Sequence, residues 1–369
     1  MTTEATPRTA AAAAAAAAAG TSPGQDPVSS VRRITDDLLR RVEQRMRSFL
    51  AAERARHAEV DERAVLAVDA LSRLVDSGGK RIRPAFCITG YLAAGGDPHD
   101  PGIVAAAAAL EMLHVSALIH DDVLDDSSRR RGQPTVHAVS SAQHEANGWQ
   151  GEARRFGEGV AILVGDLALV YSAELISQAP PRVLAEWHRL RSELMIGQYL
   201  DVAAAAEFAV DPRLSRRIAQ IKSGRYTIRR PLVVGARAAG RADLDDAFTA
   251  YGEALGEAFQ LRDDLLDAFG DSARTGKPSG QDFTQHKMTL LLAWAMQRDE
   301  HIRSLITEPG HTPDEVRGRL LDTGVPEDVE RHITALVERG CEAIADASVA
   351  PVWRDELTDM AVRVAYRDK

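Results

Sequence analysis

The stretch His120-Asp121-Asp122-Val123-Leu124-Asp125-Asp126 puts four carboxylates within six residues, and Arg129-Arg130-Arg131-Gly132 follows directly. On a helix Asp121 and Asp125 share a face, as do Asp122 and Asp126, because residues four apart are surface neighbours. Like charges at that spacing repel, and a bound cation removes the conflict. Oxygen ligands without a histidine or cysteine set favour Mg²⁺, which takes one or two protein carboxylates plus water and substrate phosphates. The arginines suit those phosphates, since guanidinium forks bind them bidentately. A solvated acidic helix end could carry the same residues, so this run alone does not separate a site from a surface.

A second run separates them. Phe259-Gln260-Leu261-Arg262-Asp263-Asp264-Leu265-Leu266-Asp267, then Asp271, repeats the order acid, acid, two apolar residues, acid. Asp263, Asp267 and Asp271 share one helical face. Surface charge has no reason to repeat that order, each time after an apolar helical stretch. Two such clusters facing each other across a cleft would hold several divalent ions.

On these residues the chain resembles the trans-isoprenyl diphosphate synthases, or polyprenyl synthetases, and among them geranylgeranyl diphosphate synthases most. Asp121-Asp122-x-x-Asp125 resembles their first aspartate-rich motif and Asp263-Asp264-x-x-Asp267 their second. Further matches are Gly78-Gly79-Lys80-Arg81-Ile82-Arg83-Pro84, Gly197-Gln198-Tyr199-Leu200-Asp201, Lys222-Ser223-Gly224-Arg225-Tyr226-Thr227, Gly276-Lys277-Pro278, Asp282 and Lys287-Met288-Thr289. The likeness runs from about Ser30 to the C-terminus. Ser223 stands where the family has Thr, keeping the hydroxyl, and Arg129 is an additional charge with no assigned role.

The resemblance implies a reaction and its residues. Asp121, Asp122, Asp125, Asp263, Asp264 and Asp267 would hold three Mg²⁺ ions. Gly79, Lys80, Arg83, His114 and Arg131 would bind isopentenyl diphosphate. Arg130, Lys222, Ser223 and Lys277 would bind the allylic diphosphate, with Gln198 and Asp201 in support. Gln260 would steady the reacting cation, Lys287 would close over the site, and Asp166 would be structural. The allylic C–O bond breaks, the double bond of isopentenyl diphosphate attacks, and the departing diphosphate takes the proton. The residues show no protein base. A homodimer and a cytoplasmic location are also implied.

The elements that must position these groups read as helices. Ile103 to Ile119 is apolar on nearly all sides, broken by Glu111, His114 and Ser116, and so should be a buried helix leading into the first acidic run. Val31–Leu50 and Ala64–Val75 carry apolar residues at helical spacing. Gly78 and Gly79 end the second of these, and Pro84 suits the first turn of the next helix, whose free N–H groups and basic side chains favour an anion. Residues 133 to 159 read as a connection, and Gly165-Asp166 as the opening or interruption of a helix. Trp187–Phe208 is helical, and from Leu290 on, segments split by Pro309, Pro313, Pro326 and Pro351 read as a helical cap. No alternation typical of strands occurs. The expectation is an all-α fold, one large bundle around a deep cavity over residues 28–369. Residues 1–27, with Ala10 to Ala19 unbroken, form a leader without the basic start or strongly apolar middle of a secretory signal.

Composition sets outer limits. The chain has 369 residues, 45% of them hydrophobic, and a formal net charge of −9, which disfavours general nucleic-acid binding. Cys87 and Cys341 form no metal-binding or redox motif, as befits ordinary thiols in a reducing compartment. No uninterrupted apolar run reaches the length of a membrane span.

Product length should depend on what fills the shaft beneath Asp121. Ser116 and Ala117, five and four residues upstream, are both small, with Met112 and Leu113 a turn deeper. Short-chain members of the family often carry an aromatic five residues before the first Asp, so the resemblance implies a product beyond C15, C20 foremost, and a shorter one for Ser116→Phe. Other classes remain in view. A class I terpene cyclase would have an Asn/Ser/Glu metal triad in place of the second motif. A His-Asp phosphohydrolase could use His120-Asp121 but not the other motifs. A non-catalytic synthase subunit should have lost one acidic run. Within the synthases, a farnesyl or longer-chain product is the alternative.

Overall fold

The structure, a computed structural model, describes residues 27–270, 280–308 and 310–367. It is all-α, as expected. The first layer comprises α1 (Pro27–Ala58), α2 (Val65–Asp76), α3 (Ile82–Ala93) and α4 (Pro101–Leu124). Among the described residues the only strands are the two-residue pair β1 (Arg129–Arg130) and β2 (Gln133–Pro134), antiparallel with Arg130 opposite Gln133. Then come α5 (Val136–Ala146), α6 (Ala153–Ile176) and α7 (Pro181–Glu207). A single rod follows: α8 (Pro212–Ile218), a π-wound segment (Ala219–Arg229) and α9 (Arg230–Ala238). It leads to α10 (Asp245–Phe269). The closing group is α11 (Gln281–Thr284), α12 (Leu290–Arg298), α13 (His301–Thr307), α14 (Pro313–Asp322), α15 (Val325–Ala345) and α16 (Pro351–Ala365).

α4 is the axis. Asp100 caps it by accepting from the Gly102 N–H, and Pro101 supplies a preset first turn. Its apolar circumference is buried against α1, α3 and, most extensively, α6. Pro313, Pro326 and Pro351 each open a helix of the closing group rather than merely ending one. A continuous core runs from Val31 to Ala365, which ties the closing helices to the first layer.

Two local readings of the sequence fail. The expected connection over 133–159 contains α5 and the start of α6. The buried positions of α5 are His137, Ser140 and His144, so its inward face is polar and hides the helical period. Gly165-Asp166 lies within an unbroken α6, neither opening nor interrupting it.

α4 and α6 are both long and apolar enough to cross a membrane by composition, with 72% and 44% of the relevant window buried. α4 is explained by the core. α6 keeps an exposed stripe of Ile162, Leu163 and Val170, and α7 another of Met195, Ile196, Tyr199 and Val202.

Candidate active site

α4 and α10 bring the two acidic runs to one cavity of about 870 Å³, whose wall includes Asp121 from the first and Asp263, Asp264 and Asp267 from the second. Asp122 and Asp125 stand just outside that wall. Buried Asp122 accepts from Arg130 Nε at 2.7 Å, and Asp125 accepts from Lys287 Nζ at 2.8 Å. Arg130 itself lines the cavity, so Asp122 fixes a basic group in place. Asp264 accepts from the Gln260 amide at 2.7 Å, Asp267 from the Asp282 backbone N–H at 3.0 Å, and Asp263 from Arg367.

These acids crowd one another. Burial, then the neighbouring Asp121, pushes Asp125 above the usual carboxylate range. Burial and Asp282 do the same to Asp264. Asp282, a further wall residue, is pushed up to about 7 by burial and by Asp267. Such a set disfavours its own full ionisation until cationic charge is supplied.

The basic side of the cavity begins at the turn after α2. Gly79, Lys80, Arg81 and Arg83 all line it. Arg131 reaches across from the β1–β2 turn to bond the Gly78 carbonyl, and a Cβ on Gly79 would meet its guanidinium at 2.8 Å. Glycine at 79 therefore leaves the space Arg131 occupies. Arg81, a residue the motif reading leaves without a role, takes left-handed backbone at the start of α3 and is buried. It bonds Glu111 at 2.6 Å, the Val75 carbonyl at 2.8 Å and Glu43 at 3.2 Å. That buried anchor fixes the turn presenting Lys80 and Arg83. Glu111 breaks the apolar run of α4 because it receives this arginine. One turn on, His114 faces the cavity, with its Nδ1 buried and unpartnered. Burial, then Arg83, lowers its pKa well below the ordinary value, so it is neutral at pH 7.

The allylic side, as the resemblance drew it, is assembled from α7 and the π-wound segment. Lys222 Nζ sits 2.6 Å from Asp201 and 3.5 Å from Asp121, and Gln198 donates to Asp121 at 3.0 Å. Burial alone would lower the Lys222 pKa, but Asp121 and Asp201 outweigh it and hold the ammonium charged. Ser223 and Gln260 line the same wall. Lys277 and Asp271 lie outside the described residues. Asp166 is at the surface, 3.5 Å from His120.

Beneath Asp121 the wall takes His114, Ala117 and Leu118 from α4. Ser116 is buried and is not among the lining residues; it shares the helix face of His120, whose ring bonds the α6 carbonyl of Ile162. Of the two small positions the cavity uses Ala117, which corrects the expectation for Ser116→Phe: the shortening belongs to Ala117→Phe, because Ser116 is buried away from the cavity wall. Leu194 of α7 lines the same cavity.

Comparison with known proteins gives the same outline. The polyprenyl synthetase family model matches residues 65–318. A short chain isoprenyl diphosphate synthase of Methanothermobacter thermautotrophicus is 31% identical over 256 residues, 68% of this chain and 73% of that protein. A nonaprenyl diphosphate synthase of Mycobacterium tuberculosis is 27% identical over 68% of this chain and 71% of its own. Among solved structures, a geranylgeranyl pyrophosphate synthase from Corynebacterium glutamicum, complexed with isoprenyl diphosphate and magnesium, superimposes with a TM-score of 0.84. It is 36% identical, and the match covers 90% of this chain and 99% of that one. The chain belongs to the polyprenyl synthetase family, prenyltransferases that build trans-prenyl diphosphates from isopentenyl and allylic diphosphates.

Proposed function

We propose that this chain is a Mg²⁺-dependent geranylgeranyl diphosphate synthase acting as a homodimer. The observation that carries the catalytic reading is the shared cavity: two acidic runs, 142 positions apart at Asp121 and Asp263, line it together with one basic turn at Gly79–Arg83.

The residues present fit a hard divalent cation. The wall offers carboxylate oxygens, and their mutual repulsion is relieved by added positive charge. Asp121, Asp263, Asp264 and Asp267, on the wall, would hold Mg²⁺ together with Asp125 at its edge, with Asp122 behind them. Bound Mg²⁺ supplies Lewis-acid neutralisation of a diphosphate leaving group. Lys222, kept charged by its two aspartates, places a fixed ammonium where that group gains charge, and Arg130, held by Asp122, adds another. Lys287, bonded to Asp125, joins the loop after α11 to the first acidic run. Lys80, Arg83 and Arg131 take the second diphosphate, and neutral His114 offers a hydrogen bond without adding charge. With its NH₂ on Asp264, Gln260 presents its carbonyl dipole to a developing carbocation.

The C20 product rests on Ala117, small and on the cavity wall, and on the 36% identity to the Corynebacterium enzyme. The dimer rests on the exposed apolar stripes of α6 and α7: Leu163 is 69% and Tyr199 70% exposed, which is costly for faces of a lone protomer. The single domain over 28–369 is supported by the continuous core. A cytoplasmic location is supported by free Cys87 and Cys341.

The test is incubation with Mg²⁺, isopentenyl diphosphate and each allylic primer, with products identified by mass. Accumulation of C20 from dimethylallyl, geranyl and farnesyl primers is expected. A C15 or a C30-and-longer product would overturn the chain-length assignment, and phosphate release without elongation would overturn the whole reading.

A further inference from the structure

The π-wound segment contacts residues assigned to both diphosphates. At its start Lys222 pairs with Asp201 and Asp121. At its far end Arg83 Nη2 donates to Thr227 Oγ1 at 2.9 Å, and the Arg83 guanidinium carbon lies 4.2 Å from the Tyr226 ring centre. Thr227 is fully buried, and Arg83 Nε and the Tyr226 hydroxyl are buried without a hydrogen-bond partner. Arg83 is thus held on one edge and one face while donor capacity remains for an anion. Lys222, Ser223, Tyr226 and Thr227 all line the cavity. The i→i+5 hydrogen bonds of π winding take an extra residue into the turn, which brings 222 and 227 onto one face.

The segment has little freedom to slide. A Cβ at Gly224 would come within 2.9 Å of Gly256 Cα on α10, and one at Gly197 on α7 within 2.8 Å of the Lys222 nitrogen. Backbone contact on both sides fixes its register against the helix carrying Asp263 and the helix carrying Gln198.

We propose that Thr227 is a positioning residue for the reaction: with Tyr226 it fixes the Arg83 guanidinium, so that one π-wound turn sets the separation of the two diphosphate sites. This rests on the reading that Arg83 meets isopentenyl diphosphate and Lys222 the allylic diphosphate. A threonine hydroxyl bonded to a guanidinium contributes more than a neutral pair, and losing it leaves Arg83 free to choose other rotamers.

The test is steady-state kinetics on the full chain with each substrate varied in turn. Thr227→Val should raise KM for isopentenyl diphosphate about tenfold, while kcat and the allylic KM change less than about threefold. Thr227→Ser should restore the wild-type value. In an Arg83→Met background Thr227→Val should add nothing, because it acts through Arg83. Equal losses toward both substrates, additivity with Arg83→Met, or an unchanged isopentenyl KM would each overturn the proposal. If circular dichroism shows Thr227→Val unfolded, Thr227→Ala takes its place with the same criteria. A wild-type chain that elongates no primer refutes the underlying functional reading; one that elongates normally while Thr227→Val is silent refutes only the positioning role.

Discussion

Ala117→Phe should shorten the product by one isoprene unit. Ala117 lines the cavity one turn beneath Asp121, on the face shared with His114 and Leu118. A five-carbon unit adds four main-chain bonds of about 1.5 Å, so it lengthens an extended prenyl chain by roughly 5 Å. A phenyl ring reaches about 4 Å beyond the alanine methyl, nearly the same length. Forcing the last unit past that ring amounts to overpacking, at about 1–3 kcal/mol. At about 1.4 kcal/mol per tenfold, a 2 kcal/mol penalty shifts the C15 to C20 ratio roughly 30-fold. The assay uses purified protein, a geranyl primer and excess isopentenyl diphosphate, with products dephosphorylated and separated by length. Ser116→Phe is the matched control. Its side chain points away from the cavity toward α6, so an added ring should lower the melting temperature and leave the product ratio alone. An Ala117→Phe enzyme of normal activity and unchanged product, or a shortened product from Ser116→Phe alone, would refute the cavity assignment.

Three further outcomes follow from the same geometry. Chelation should abolish turnover and added Mg²⁺ restore it, while the circular dichroism spectrum stays constant, because the carboxylates already have protein partners that keep the helices in place. Glu111→Gln should destabilise the fold by about 2 kcal/mol, since it removes the nearer of the two carboxylates that balance buried Arg81 and leaves only Glu43, and pairing it with Arg81→Met should recover part of that loss. Thermal unfolding of both variants and of the parent chain checks this. The folded pKa of His114 lies below its unfolded value, so the unfolded chain binds the extra proton and stability falls as pH drops through the unfolded histidine range, about 6.5. Between pH 7.5 and 5.5 the parent should therefore lose more melting temperature than His114→Gln; equal losses would show that His114 is not held neutral.

Much of the site was legible because its chemistry is local. In the second run i,i+4 spacing puts Asp263 and Asp267 on one face of α10, and both line the cavity. The apolar circumference of residues 103–119 likewise demanded burial, and α4 is buried. Where a buried face is polar the sequence misled: α5 turns His137, Ser140 and His144 inward and was read as a connection.

Tertiary structure decided what spans long separations. Nothing near Arg81 in the chain distinguishes it from Lys80, yet left-handed backbone buries it against Glu111, thirty positions away, while Lys80 stays exposed at the cavity. Helical spacing puts Asp121 and Asp122 on different faces without saying which face meets the cavity; α4 points Asp122 at Arg130 and Asp121 into the shared space. Ser116 and Ala117 are equivalent as letters, and only the packing of α4 on α6 tells which of them a growing prenyl chain would meet. Residue type and period determine what a side chain can do and which of its near neighbours share its face. The direction that face points, and the distant partner it finds there, depend on how the helices pack, because each rotation of a helix about its axis presents a different set of residues to the same neighbour.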